Sequence, residues 1–97
     1  MGLRHAREYA DIIADFTEAI LAVPEFYSFL GISDLEWQTF DQAEQHNIAQ
    51  TLADDLFYGL DEVPCLEVGQ GLVEYIANDH IIKVSQNNII IKIVNLV

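Results

Sequence analysis

An α+β domain is predicted, with two or three helices first and a three-stranded antiparallel meander last, and three observations carry that expectation. Apolar and acidic residues recur at helical spacing through the first half. From Gly71 onward the texture turns β-branched and alternating, and asparagine-rich pairs punctuate it. Helices gathered before strands imply helices packed on one face of an antiparallel sheet rather than an alternating parallel fold. With 97 residues, 52% of them apolar, and only two prolines, the chain suits one packed core. It is therefore expected to be a single domain over 1–97, helical over 3–62 and β-meander over 72–96.

The first helix follows from two stripes. Tyr9, Ile12, Ile13, Phe16, Ile20 and Val23 recur at three and four, and so do Glu8, Asp11, Asp15 and Glu18. One apolar and one acidic stripe at the same period make an amphipathic helix. Pro24 can open a new turn but not continue the old one, so Phe26 to Leu30, stopped by Gly31, read as a short second helix. Ser33-Asp34-Leu35-Glu36 fits a capping box and starts the third. No proline interrupts it before Pro64, and one long helix ending near Gly59 is expected, although the polar stretch from Asp41 to Asn47 offers a place to break.

Three strands are expected over Leu72 to Ala77, His80 to Ser85 and Ile89 to Asn95, joined by two-residue turns at Asn78-Asp79 and Asn87-Asn88. Counting back from those turns sets Glu74 opposite Lys83 and Lys83 opposite Lys92. Val73, Tyr75, Ile82, Val84, Ile91 and Ile93 then face the helices. The outer face carries the charged row flanked by Leu72, Ile76, Ile81, Ile90 and Val94, which is too apolar to be left in water. Those five residues are the expected interface of a homodimer formed through the sheet.

Charge is the least ordinary property. Sixteen acids against four Lys and Arg give a formal net charge of −12, and no Lys or Arg occurs between Glu8 and Ile82. Duplex nucleic acid is gripped through its phosphates by a basic face, so direct nucleic-acid binding is excluded. No apolar run is long enough for a membrane-spanning helix, and the acids soon after Arg7 leave no room for a signal-peptide core. A single cysteine, Cys65, removes internal disulfides and multi-cysteine zinc sites, and the cytoplasm is the expected compartment.

Asp54, Asp55, Asp61 and Glu62 crowd the end of the third helix, where the dipole disfavours negative charge by about 0.3–1 kcal/mol each. A solvated, solubilising helix end is the plain alternative. Small domains, however, need a net charge of only roughly 2 to 8 for solubility. These four, with the stripe Glu8, Asp11, Asp15 and Glu18, are the candidate contacts to a basic-faced protein partner. The expected role is a non-enzymatic interaction module, such as an inhibitor, an immunity-type protein or an adaptor, without cofactor. The alternative is a divalent-cation or small-ligand-binding protein using the same acids, although their spacing matches no calcium loop and no metal site is expected. His5, His46 and His80 are scattered, and Glu44 and His46 point to different helix faces, so no catalytic set is assigned. Cys65, between Glu62 and Glu67, lacks the positive surroundings that make a thiolate.

Overall fold

The computed structural model describes residues 3–97. The helical part comprises α1 (Tyr9–Leu21), a 3-10 turn (Phe26–Leu30), α2 (Asp34–Thr39) and α3 (Gln42–Glu62). The sheet that follows has four strands, β1 (Cys65–Val68), β2 (Gly71–Ile76), β3 (Ile81–Gln86) and β4 (Ile89–Asn95), antiparallel in the order β1-β2-β3-β4. The α+β expectation holds, with one strand more than expected. Leu66 and Val68 turn inward while Cys65 and Glu67 are exposed, the alternation of a half-buried strand. The Val68-Gly69-Gln70-Gly71 segment is thus the hairpin turn between β1 and β2. Gly69 has φ +58, and a Cβ there would lie 2.4 Å from the Glu25 carbonyl oxygen, so only glycine fits this turn against the loop after α1.

The expected long helix is two. Ser33 forms the capping box with Glu36 that opens α2, and Asp41 forms a second box with Glu44 that opens α3. Phe40 between them is extended, with ψ 141, so the chain turns there and restarts. An aspartate with a glutamate three residues on satisfies the same orphan N–H groups as Ser33 and Glu36 do.

Glu74 lies opposite Lys83 as counted, and their side chains pair at 3.4 Å. The link between β2 and β3 is longer than two residues, a 3-10 turn over Ala77–Asp79 followed by His80 at φ 53, but it preserves the register. Asn87 and Asn88, at φ 52 and 66, make the second two-residue turn as expected. Beyond it the ladder slips. A bulge between Val84 and Ser85 absorbs Ile91, which sets Lys92 opposite Val84 and Ile93 opposite Lys83. The expected opposition of Lys83 and Lys92 is therefore absent. Val94, expected on the outer face, faces the helices and is fully buried opposite Ile82, while Ile93, expected inside, is 43% exposed outside. A one-residue slip exchanges the two faces of a strand, so the bulge is the whole cause.

The core is one cluster between the layers. Ile12, Phe16 and Ile20 from α1, Leu52, Leu56, Phe57 and Leu60 from α3, and Val73, Ile82, Val84 and Val94 from the sheet form its centre. α1 packs on α3 and on β4. The described N-terminal segment is tied to the end of β4, where the Ala6 and Arg7 amides donate to the Leu96 carbonyl, and Leu3 and Leu96 are both buried. Thr17, the one buried polar residue of α1, donates its hydroxyl to the Ile13 carbonyl at 2.7 Å. No buried side-chain polar atom among the described residues lacks a partner.

Candidate interaction surface

The four acids of α3 do not form one cluster. Residues seven apart on a helix share a face, whereas neighbours diverge by about 100°. Asp54 and Asp61 therefore look one way, and Asp55 and Glu62 another.

The first pair lies on the side of α1 and the N-terminal segment. The Tyr9 hydroxyl donates to Asp54 at 2.5 Å, and its ring meets Phe57 edge-on at 5.1 Å. Burial of the ring, and then the negative charge of Asp54, push the Tyr9 hydroxyl well above the usual tyrosine range. Asp61 shares an open groove of about 690 Å³ with Leu3, Arg4, His5, Tyr9, Phe57 and Tyr58. Arg4 thus brings a cationic group to the groove that contains Asp61, and Tyr9 binds Asp54. This facet is partly compensated from within the molecule.

Asp55 and Glu62 are exposed on the other facet. Asp55 helps form a second groove of about 330 Å³, between α3 and the segment joining the 3-10 turn to α2, together with Leu30, Ile32, Asn47, Ile48, Thr51 and Leu52. The 3-10 turn and α2 also expose large apolar side chains, with Phe29 at 47% and Leu35 at 78%. Local architecture holds this rim in place. Tyr27 and Trp37 stack at 4.7 Å with planes 10° apart, and Phe26 meets Trp37 edge-on at 5.0 Å. The Tyr27 hydroxyl donates to Asp34 at 2.5 Å, and that bond to a carboxylate pushes its pKa up to about 12. Trp37 is thus a packing residue, which braces α2 against the turn that precedes it.

Of the α1 stripe, Asp15 is paired with Arg7 at 3.0 Å, and Arg7 also donates to the Asn95 carbonyl, which places this acid on the β4 side. Tyr9, on the same helix, reaches toward α3. The stripe and the α3 acids therefore lie on different sides of α1 rather than in one patch. Glu8 precedes the first turn without a side-chain cap, and Asp11 and Glu18 are exposed. No three His, Cys, Asp or Glu side chains lie close enough together to hold a cation among the described residues. Cys65 is a free thiol, exposed on the outer side of β1. No helix among the described residues is long and apolar enough to cross a membrane.

Sequence reasoning missed the groove lined by Leu30, Ile32 and Ile48. Its signal is present: Ile48 is the first large apolar residue after the polar opening turn of α3. Compared with protein-family models, with curated proteins and with solved structures, the chain matches none.

Proposed function

We propose that this protein is a small acidic, non-enzymatic interaction module, of the inhibitor, immunity-type or adaptor kind, that binds a basic-faced protein partner. The observation that carries the reading is uncompensated charge. Of the sixteen acids, only Asp15 and Glu74 sit in ion pairs among the described residues, and α3 ends on Asp61 and Glu62 with no basic residue in its last turn. Such a surface steers a positively charged partner toward itself and raises the association rate. The facet of Asp55 and Glu62 has the further property that an apolar groove adjoins it. A partner segment with lysines beside leucines finds both of its chemistries there: aliphatic side chains enter between Leu30, Ile32 and Ile48, and its ammonium groups meet Asp55.

The test uses a lysine-leucine amphipathic peptide as probe. Binding should weaken steeply between about 50 mM and about 300 mM salt, as the Debye length shortens. The Asp55→Asn/Glu62→Gln double variant should lower affinity more than Asp54→Asn/Asp61→Asn, because Asp54 already accepts the Tyr9 hydroxyl and Asp61 shares its groove with Arg4. A peptide that fails to bind at low salt, or that binds both variants as tightly as the parent chain, overturns the reading.

A further inference from the structure

The outer face of the sheet carries a different kind of surface, and we infer that it is the contact between two copies of this chain. Its central row is Cys65, Glu74, Lys83 and Ile93, in strand order. On one side of that row lie Leu72 and Ile90, and on the other Ile76 and Ile81. Ile90 and Ile93 are 52% and 43% exposed, and both belong to the last strand of the sheet. The helices cover the opposite face, and on this one Ile90 and Ile93 are exposed, Leu72, Ile76 and Ile81 are half-buried, and Ser85 beside Leu72 is buried.

Charge selects the occupant. Within the paired strands this face holds only Glu67, Glu74 and Lys83 as charged residues, while most of the net −12 lies on the helices and their connections. A basic partner is drawn to the helical side, where the acids are. Two copies of a molecule this acidic repel one another across the acidic helical side, and this nearly neutral apolar face is where they can meet.

The central pair also fixes how they meet. A face-to-face dimer has its two-fold axis in the plane between the sheets. An axis parallel to the strands and midway between β2 and β3 brings Glu74 of each copy over Lys83 of the other. An axis perpendicular to the strands at that row sets Glu74 against Glu74 and Lys83 against Lys83, which is repulsive. The first arrangement is self-complementary, and it stacks Ile76 over Ile81 in the row alongside. Aligned sheets that cross at about 30° pack in this way.

The patch is small. Four strands about 4.8 Å apart and about six residues long, at about 3.3 Å each, cover on the order of 400 Å² of sheet. Stable complexes bury about 800 Å² per partner once side-chain relief is counted, so this dimer stands at the low end and exchanges with monomer.

The wild-type chain, measured by light scattering from low to high micromolar concentration, should pass from monomer toward dimer mass. Glu74→Lys and Lys83→Glu should each be monomeric, because each sets like charges across the interface. Mixed in equal amounts, they should recover dimer mass, since one variant carries lysines at both positions and the other glutamates. Ile93→Thr, at a side chain exposed in the monomer, should weaken the dimer while circular dichroism shows the fold intact. A wild-type chain that stays at monomer mass throughout overturns the inference. So does a dimer whose mass Ile93→Thr and both charge variants leave unchanged, and so do folded charge variants that stay monomeric when mixed.

Discussion

The helical layer and the sheet enclose the same core from opposite sides, yet they turn contrasting surfaces to the outside. Where α1 and α3 face away from the core they carry acids with few partners, Asp11, Glu18, Asp55 and Glu62 among them. Where the sheet faces away it carries Leu72, Ile76, Ile81, Ile90 and Ile93 around one ion pair. A helix can turn a whole stripe to water because its period separates the faces by residue choice alone. A strand alternates strictly, so an apolar residue at an outward position is a departure that needs its own reason. On the proposed reading, the contrast separates attraction of unlike molecules, on the helices, from contact between like ones, on the sheet.

The largest effect should come from the shared core, where the two layers are not distinguishable. Phe16 has no exposed surface and stands between α1, α3 and the sheet. Phe16→Ala should cost about 3–5 kcal/mol, on the scale of complete loss of folding for a domain this size. Denaturant unfolding would check it, and a cost under about 1 kcal/mol would mean the layers are not welded by this ring.

Next in size is a pair of substitutions one residue apart that reads the bulge directly. Val94→Thr buries a hydroxyl among apolar side chains and should cost about 1–3 kcal/mol of monomer stability. Ile93→Thr should change monomer stability by less than about 0.5 kcal/mol, as surface substitutions do. Equal costs at the two positions, measured where the chain is monomeric, would mean that Ile91 is not absorbed by a bulge and that the faces of β4 are wrongly assigned. Smaller again is the break between α2 and α3. Asp41→Ala removes the side-chain acceptor for the Glu44 amide at 2.8 Å and should cost about 1 kcal/mol by thermal unfolding.

These positions also show how far the fold is legible in the chain. Local patterns read true: the stripes of α1, the Ser33 box, the asparagine turn and the pairing of Glu74 with Lys83 all rest on residues close in sequence or on a turn that fixes the count. What failed depends on the competition between equivalent local signals or on tertiary contact. Asp41-Gln-Ala-Glu44 is as good a capping box as Ser33 to Glu36, and only packing decides that the helix restarts there. The bulge at Val84 and Ser85 leaves no composition signal, yet it alone moved Val94 inside and Ile93 outside. The four-residue strand β1 is too short for its alternation to stand out, although Gly69 marked its turn. At the candidate surface the acids were visible but their division was not. Asp54 and Asp55 are neighbours in sequence that α3 sends to different sides, one to Tyr9 and one to the groove beside Ile48.

The gentlest probe of the helical side is alkaline pH, because two of its acids hold tyrosine hydroxyls. The unfolded chain releases a tyrosine proton near the ordinary value of 10.0, whereas Tyr27 bonded to Asp34 is pushed up to about 12 and Tyr9, buried and bonded to Asp54, is raised further. A folded-state pKa above the unfolded one means that the native state holds the proton more tightly. The associated stability is complete below the unfolded value and is lost as pH rises through the folded one. The melting temperature should therefore fall from about pH 10 upward for reasons that Tyr9→Phe and Tyr27→Phe each partly remove. Tyrosinate absorbance should show late steps from Tyr9 and Tyr27, and each variant should delete one of them. If Tyr27 ionises near the ordinary value of 10.0, the bond to Asp34 does not persist in solution, and the rim that α2 forms beside the groove is looser than its stacked rings imply.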